Sequence, residues 1–260
     1  MWRGTAGSGE EAGEYLYVAL GIGEQMLKSG AEISRVEDTL RRICLSFGAE
    51  RVDVFTITSS IVVTIYSGQF GSITQTRRIT STQYDLYRLD YLNNLSRQIC
   101  KQHLTVDEVR QKLEQEEAGK TYPLPVQLLV FALISGSFSL FFGGSAMDAV
   151  VSAAIGMLLK CLSSLLKKLA MNVFLSALLC SLLGGLLAIL SVNAGLGDSM
   201  DKISIGNIML LIPGVTLTNS MRDMFSGDTI SGALRFTEAI LLAMTIAFGF
   251  AVAARIGGGL

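Results

Sequence analysis

The sequence predicts a membrane α-helical protein of five transmembrane helices, one of them broken at Pro213-Gly214, preceded by an N-terminal cytoplasmic α+β domain. Three observations carry that prediction. Half of the 260 residues are apolar and only 17% are charged, against roughly 25% charged in ordinary soluble domains. The charges are also segregated: residues 1–122 hold 14 Lys and Arg and 16 Asp and Glu, whereas the remaining 138 residues hold 7 and 6. Finally, the C-terminal part contains uncharged runs long enough to cross the roughly 30 Å hydrocarbon layer as helices. The boundary falls near Thr121–Pro125, giving a domain at 1–122 and a membrane domain at 123–260.

In the N-terminal domain, Glu10 to Lys28 has helical composition and ends at Ser29-Gly30, a plausible C-cap. The stretch SGAEISRVEDTLRRICLSFG follows, in which Ser34 and Glu37 form an S-x-x-E capping box. A helix from Arg35 then places Val36, Leu40, Ile43 and Phe47 on one face, with Arg35, Glu37, Asp38, Arg41 and Arg42 on the rest. After Gly48 the signal turns β-branched: RVDVFTIT, IVVTIYS and SITQTRRI, at 51–58, 61–67 and 72–79, are separated by Ser and Gly and read as an antiparallel meander. Two helices complete the domain, one over Tyr84 to Gln102 and one capped by Thr105 and Glu108. About 120 residues suffice for a core of their own.

The membrane domain begins with 124–143, twenty residues without a charge. The second span, 146–166, is interrupted by Lys160, so an amphipathic helix lying in the interface is its alternative. The third, 169–192, is uncharged and carries Ala177, Ser181 and Gly185 as a small-residue stripe for close helix packing. The fourth, 203–218, is short and broken by Pro213-Gly214; the fifth, 234–254, carries Arg235 and Glu238 on one face near its start. Lys120, Lys167, Lys168 and Arg222 flank alternate loops, and Lys and Arg are retained in the cytoplasm. The expected orientation of this multi-pass membrane protein is therefore a cytoplasmic N-terminal domain and an outer C-terminus.

Several function classes are excluded or disfavoured. A nearly neutral chain, with formal net charge −1, offers no basic stripe for nucleic acid. The lone histidine, His103, rules out two-histidine zinc motifs, and there is no phosphate loop and no G-x-S-x-G elbow. Cys44, Cys100, Cys161 and Cys180 are scattered and read as reduced thiols. The start, MWRGTAGSGEEAGEY, has no apolar core and so does not read as a cleavable signal peptide. Neither metal nor cofactor is expected, and the protein is not expected to be an enzyme.

The broken span draws attention because lipid tolerates an interrupted helix only where protein or a watery cavity surrounds it. Discontinuous helices supply substrate sites in many secondary transporters. Thr216, Thr218 and Asn219, just beyond Pro213-Gly214, offer hydroxyl and amide groups, and Asn207, in the preceding half three turns from Thr218, could complete such a lining. Arg222, Asp223 and Asp228 suit a gate or carboxylate recognition, and Glu238 with Arg235 suits an intramembrane pair. An ordinary Pro-Gly kink followed by a cytoplasmic turn is the alternative reading of the same residues.

Two stretches together, SGAEISRVEDTLRRIC and LLIPGVTLTNSMRDMFSGDTISGALRFTEAILLA, resemble the threonine/serine exporter family of bacteria, a group that also includes succinate exporters. The resemblance runs through nearly the whole chain in order, and its PG-x(4)-N-x(2)-RD-x(3)-GD pattern is its more specific part. It implies a secondary exporter of a small polar metabolite across the lipid bilayer of the bacterial cytoplasmic (inner) membrane, with Arg35 and Glu37 in the head motif. Long members of the family resemble two five-span halves, and this sequence matches the first. The implied partner is a smaller membrane subunit carrying the second half; a homo-oligomer is a further option. A membrane-anchored sensor or enzyme with a ligand-binding cytosolic head is the alternative function.

Overall fold

The computed structural model describes residues 9–102, 104–117 and 122–257. His103, Lys120, Thr121 and the first eight residues lie outside them. The chain divides into two compact units, Met1–Lys120 with Val215–Phe236, and Thr121–Gly214 with Thr237–Leu260.

The first unit opens with α1, Gly9–Lys28, and α2, Ile33–Ser46. The strands β1, Arg51–Ile57, β2, Ser60–Ser67, and β3, Gly71–Arg78, form an antiparallel sheet in the order β1-β2-β3. Each lies within a residue or so of the range read from its alternating pattern. Val52 pairs with Ile65 and Ile65 with Ile73, so the apolar side chains share one face. Helices α3, Leu86–Gln102, and α4, Val106–Glu117, follow. The core joins Leu16, Leu20 and Met26 of α1, Val36, Leu40 and Ile43 of α2, Ile61 and Val63 of β2, and Leu92 and Ile99 of α3. The predicted box at α4 forms: Glu108 accepts from the Thr105 amide at 2.8 Å, while the Glu108 amide donates to Thr105 Oγ1 at 3.4 Å.

The box predicted at Ser34–Glu37 does not form. Helix α2 starts two residues earlier, at Ile33, with Glu32 in the cap position and no side-chain cap bond from it. Glu37 instead accepts a hydrogen bond from the Thr56 amide of β1 at 2.8 Å.

The second unit contains α5, Leu124–Phe141, α6, Ala146–Lys168, α7, Val173–Asn193, and α8, Met200–Ile208. It also takes the later part of α10, Thr229–Gly257. Among the described residues four helices are long and apolar enough to cross a membrane: α5, α6, α7 and α10. The fourth of the five predicted spans departs from expectation. Its residues form α8 and then α9, Gly214–Phe225, two short helices separated by residues 209–213. The break is thus wider than the Pro213-Gly214 dipeptide. It begins where Leu210 and Leu211 tighten into amide bonds to Asn207 and Ile208 carbonyls.

Small residues set the spacing inside this unit. A Cβ on Gly185 would lie 2.6 Å from Ala253 Cβ, and one on Gly249 would overlap Ser181 Oγ. The predicted stripe on α7 is therefore where α10 packs. Lys160, the charge within α6, has its ammonium 5.1 Å from the Phe131 ring centroid of α5, a cation–π contact. All four cysteines are free thiols.

Candidate functional site

The turn that ends α1 prepares the site. Gly30 has φ +91°, the Gly30 amide donates to Leu27 O at 3.2 Å and the Ala31 amide to Met26 O at 3.0 Å. This is a Schellman cap, for which glycine is the natural residue. It leaves the Gly30 and Ala31 carbonyls and the first amide of α2 without partners inside either helix. A second cap of the same kind ends α9. Gly227 has φ +99°, and the Asp228 amide reaches back to Asp223 O at 2.9 Å.

The orphan groups are taken up by α9 and the start of α10, within the same unit. Asn219 Nδ2 donates to Gly30 O at 3.2 Å. Asp223 Oδ1 accepts from the Ile33 amide at 3.2 Å, and Asp223 Oδ2 accepts from Arg235 Nη1 at 2.9 Å. The same Arg235 nitrogen donates to Ala31 O at 3.2 Å. Outside this buried set, Arg222 and Glu32 form an ion pair. A carboxylate from 190 positions away therefore does what the Ser34–Glu37 box was expected to do. Its charge also complements the positive end of the α2 dipole.

The pair is nearly closed to solvent, with Asp223 at 1% and Arg235 at 6% exposure. Burial raises the Asp223 carboxyl above its ordinary range, opposed by the Arg235 charge and the Ile33 amide. Burial likewise raises Glu37 and Asp228; the charge of Asp228 adds to the rise at Glu37, and the bond from the Thr56 amide opposes it. Charges this deeply buried persist only when both are matched and hydrogen-bonded.

The predicted site residues separate into groups. Asn219, Arg222 and Asp223 converge on the α1–α2 connection, with Asp228 half-buried near Glu37. Arg35 lies on the exposed face of α2. Thr216 is half-buried and Thr218 exposed. Pro213 precedes α9 and Gly214 opens it, with the Gly214 amide bonded to Ile212 O at 2.9 Å. The expected Arg235–Glu238 pair is not made; Arg235 turns to Asp223, 12 residues back, and Glu238 is exposed.

Asn207 is fully buried. It belongs to a buried knot in the second unit, where Nδ2 donates to Ile203 O at 2.9 Å and to Ser152 Oγ at 3.3 Å. Ser135 Oγ donates to Asn207 Oδ1 at 2.7 Å and lies 2.7 Å from Ser152 Oγ. Gly206 permits this approach, since a Cβ there would sit 2.5 Å from both Ser135 O and Ser152 Oγ. Asp148, at the start of α6, accepts from the Ser145, Asp198 and Ser199 amides at 3.0, 2.8 and 3.0 Å.

Sequence reasoning missed Glu32, the Gly30–Ile33 backbone, Ser135 and Ser152. For the backbone the only signal was the coincidence that both resemblance-bearing stretches are polar at points where their helices end. Among the described residues no three His, Cys, Asp or Glu side chains converge on a metal-sized site.

The chain matches, over residues 17–257, the family model described as "Putative threonine/serine exporter", and it belongs to that family. It is 24% identical over 244 residues to the threonine/serine exporter of Corynebacterium glutamicum, covering 89% of this chain and 49% of that one. It is 22% identical over 242 residues to a Mycobacterium tuberculosis protein named "Probable threonine/serine exporter", covering 92% and 46%. A Klebsiella aerogenes protein named "Probable succinate transporter subunit YjjP" is 24% identical over 240 residues, with 90% of each chain covered. The chain thus spans about half the length of the two exporters and most of the subunit. No solved structure matches it. It is a multi-pass membrane protein of an exporter family.

Proposed function

We propose that this protein is one subunit of a secondary exporter that moves a small polar metabolite out of the bacterial cell, and that Asp223 and its partners act as its gate. Threonine or serine is the first substrate expected and a dicarboxylate such as succinate the second, from the names of the relatives. The observation that carries the gating reading is the convergence of the two motif stretches on Asp223. Asn219, Arg222 and Asp223 face backbone and side chains of the head's first two helices, which suits control of a pathway better than contact with the cargo. The substrate path itself is assigned to the second unit and a smaller membrane subunit supplying the other half.

Chain connectivity supports five crossings in place of four. An odd number of crossings, α5 to α7, would carry the chain to the side opposite the head, each of the three being long and apolar enough to cross. Residues 219–235 nevertheless bond to the head's own backbone. In this reading the fourth predicted span, 203–218, crosses back. Residues 237–257 of α10 rise about 31 Å at 1.5 Å per residue, sufficient for a last crossing. Lys167, Lys168 and Arg222, in the loops read as lying on the head's side of the membrane, support a cytoplasmic head.

Counterflow of labelled threonine, serine and succinate in proteoliposomes tests the reading, with this chain alone, the smaller subunit alone, and both. Transport only with both supports a split exporter. Full transport by the chain alone removes the partner, and none in any combination of inserted protein removes the exporter reading.

A further inference from the structure

The exposed face of α2 and the neighbouring face of α3 enclose a cleft of about 510 Å³ that the gate does not use. Arg35, Arg42, Arg97 and Lys101 line it with four positive charges, against Asp38 and Asp90. The carboxylate of Asp38 is spent on Arg42, which it meets at 3.0 Å through two nitrogens. Asp90 accepts from Asn94 Nδ2 at 3.2 Å. Among the described residues, Arg35, Arg97 and Lys101 form no ion pair. The cleft therefore holds a surplus of two positive charges, with two guanidinium forks and an ammonium on one concave surface.

A second cleft on the same unit, about 550 Å³, provides the contrast. There Lys28 and Arg77 both close on Glu24, at 2.6 and 3.8 Å, and Arg77 also stacks on Tyr17. Lys28 and Arg77 there each face the Glu24 carboxylate.

We infer that the α2–α3 cleft binds a small dianion, a phosphorylated or dicarboxylate metabolite, held by Arg35, Arg97 and Lys101. Guanidinium groups match the paired oxygens of phosphate and carboxylate, and such charge-assisted bonds are about twice as strong as neutral ones. Asn93 adds an amide to the lining. The ligand would act on α2, the helix whose first amide Asp223 holds, so the regulatory meaning of the site rests on the gating reading while binding itself does not.

The test is calorimetric titration of the detergent-solubilised full chain with pyrophosphate and, separately, with succinate at low ionic strength. The two arms separate phosphoryl from dicarboxylate ligands. Saturable binding of either is expected, weakened about tenfold or more by Arg35→Gln with Arg97→Gln, and unchanged by Arg51→Gln on β1. Lys101→Gln alone gives a smaller loss if the double variant does not fold. No binding of either anion, or equal affinity in the variants, overturns the site. Neither result depends on transport, so failure here is separate from failure of the exporter reading.

Discussion

Asp223 and Ile33 lie 190 positions apart in the chain, yet the carboxylate of one caps the helix that begins at the other through a 3.2 Å hydrogen bond. The second oxygen of the same carboxylate meets Arg235, which in turn reaches Ala31 O. One buried ion pair thereby fixes the last turn of α1, the first turn of α2 and the start of α10.

Removing one member of that pair leaves the other buried and uncompensated. Asp223→Ala or Arg235→Ala should each destabilise the protein by about 3–5 kcal/mol. In a double-mutant cycle followed by thermal unfolding in detergent, the pair should cost much less than the sum of the singles. Additive losses would mean that the two do not interact.

Gly30 and Gly48 separate backbone strain from packing. Both have positive φ, +91° and +94°, but a Cβ on Gly30 would overlap the Tyr84 ring while Gly48 has open space. Gly48→Ala should cost about 1–2 kcal/mol from the left-handed backbone alone. Gly30→Ala should cost clearly more and should also loosen the Asn219 bond, which melting and amide exchange near Ala31 would report.

Glu37 gives a pH signature. Its pKa is raised in the folded protein, so the fold binds a proton more readily than the unfolded chain does. This contribution is favourable below the ordinary glutamate pKa and is lost as pH rises through the folded value. Glu37→Gln keeps an oxygen for the Thr56 amide and has no charge to desolvate. It should flatten the acidic part of the stability profile without lowering stability at neutral pH; an unchanged profile would contradict the burial of Glu37.

In the second unit Asn207→Leu removes the centre of the Ser135–Ser152 knot. Intramembrane hydrogen bonds average about 0.6 kcal/mol each, so a loss of about 1–2 kcal/mol is expected, measured by unfolding in detergent. Gly206→Ala should be worse, because backbone and Ser152 Oγ stand where its Cβ would go.

Local signals were legible in the sequence, and long-range ones were not. The strands at 51–57, 60–67 and 71–78 were readable because β-branched alternation has a period that fixes which face is buried. Helices α5 to α7 were readable because hydrocarbon admits only long apolar runs. The start of α2 was misread because S-x-x-E at 34–37 satisfies a local capping pattern, while the actual cap is delivered from Asp223. Arg235 was assigned to Glu238 by helical spacing for the same reason, since spacing carries no information about partners on another helix. The hydroxyls of Ser135 and Ser152 look unremarkable in an apolar run until Asn207 meets them.

The outer ion pair tests the gate most directly, because Arg222 is 57% exposed at its side chain and can be changed without opening the core. Counterflow would be measured in proteoliposomes holding both halves of the exporter, with Glu32→Arg, Arg222→Glu and the two together, each shown to be inserted. The gating account predicts that either reversal alone impairs transport and that the double reversal restores most of it. Wild-type transport in both single variants, or no recovery in the double, would contradict it.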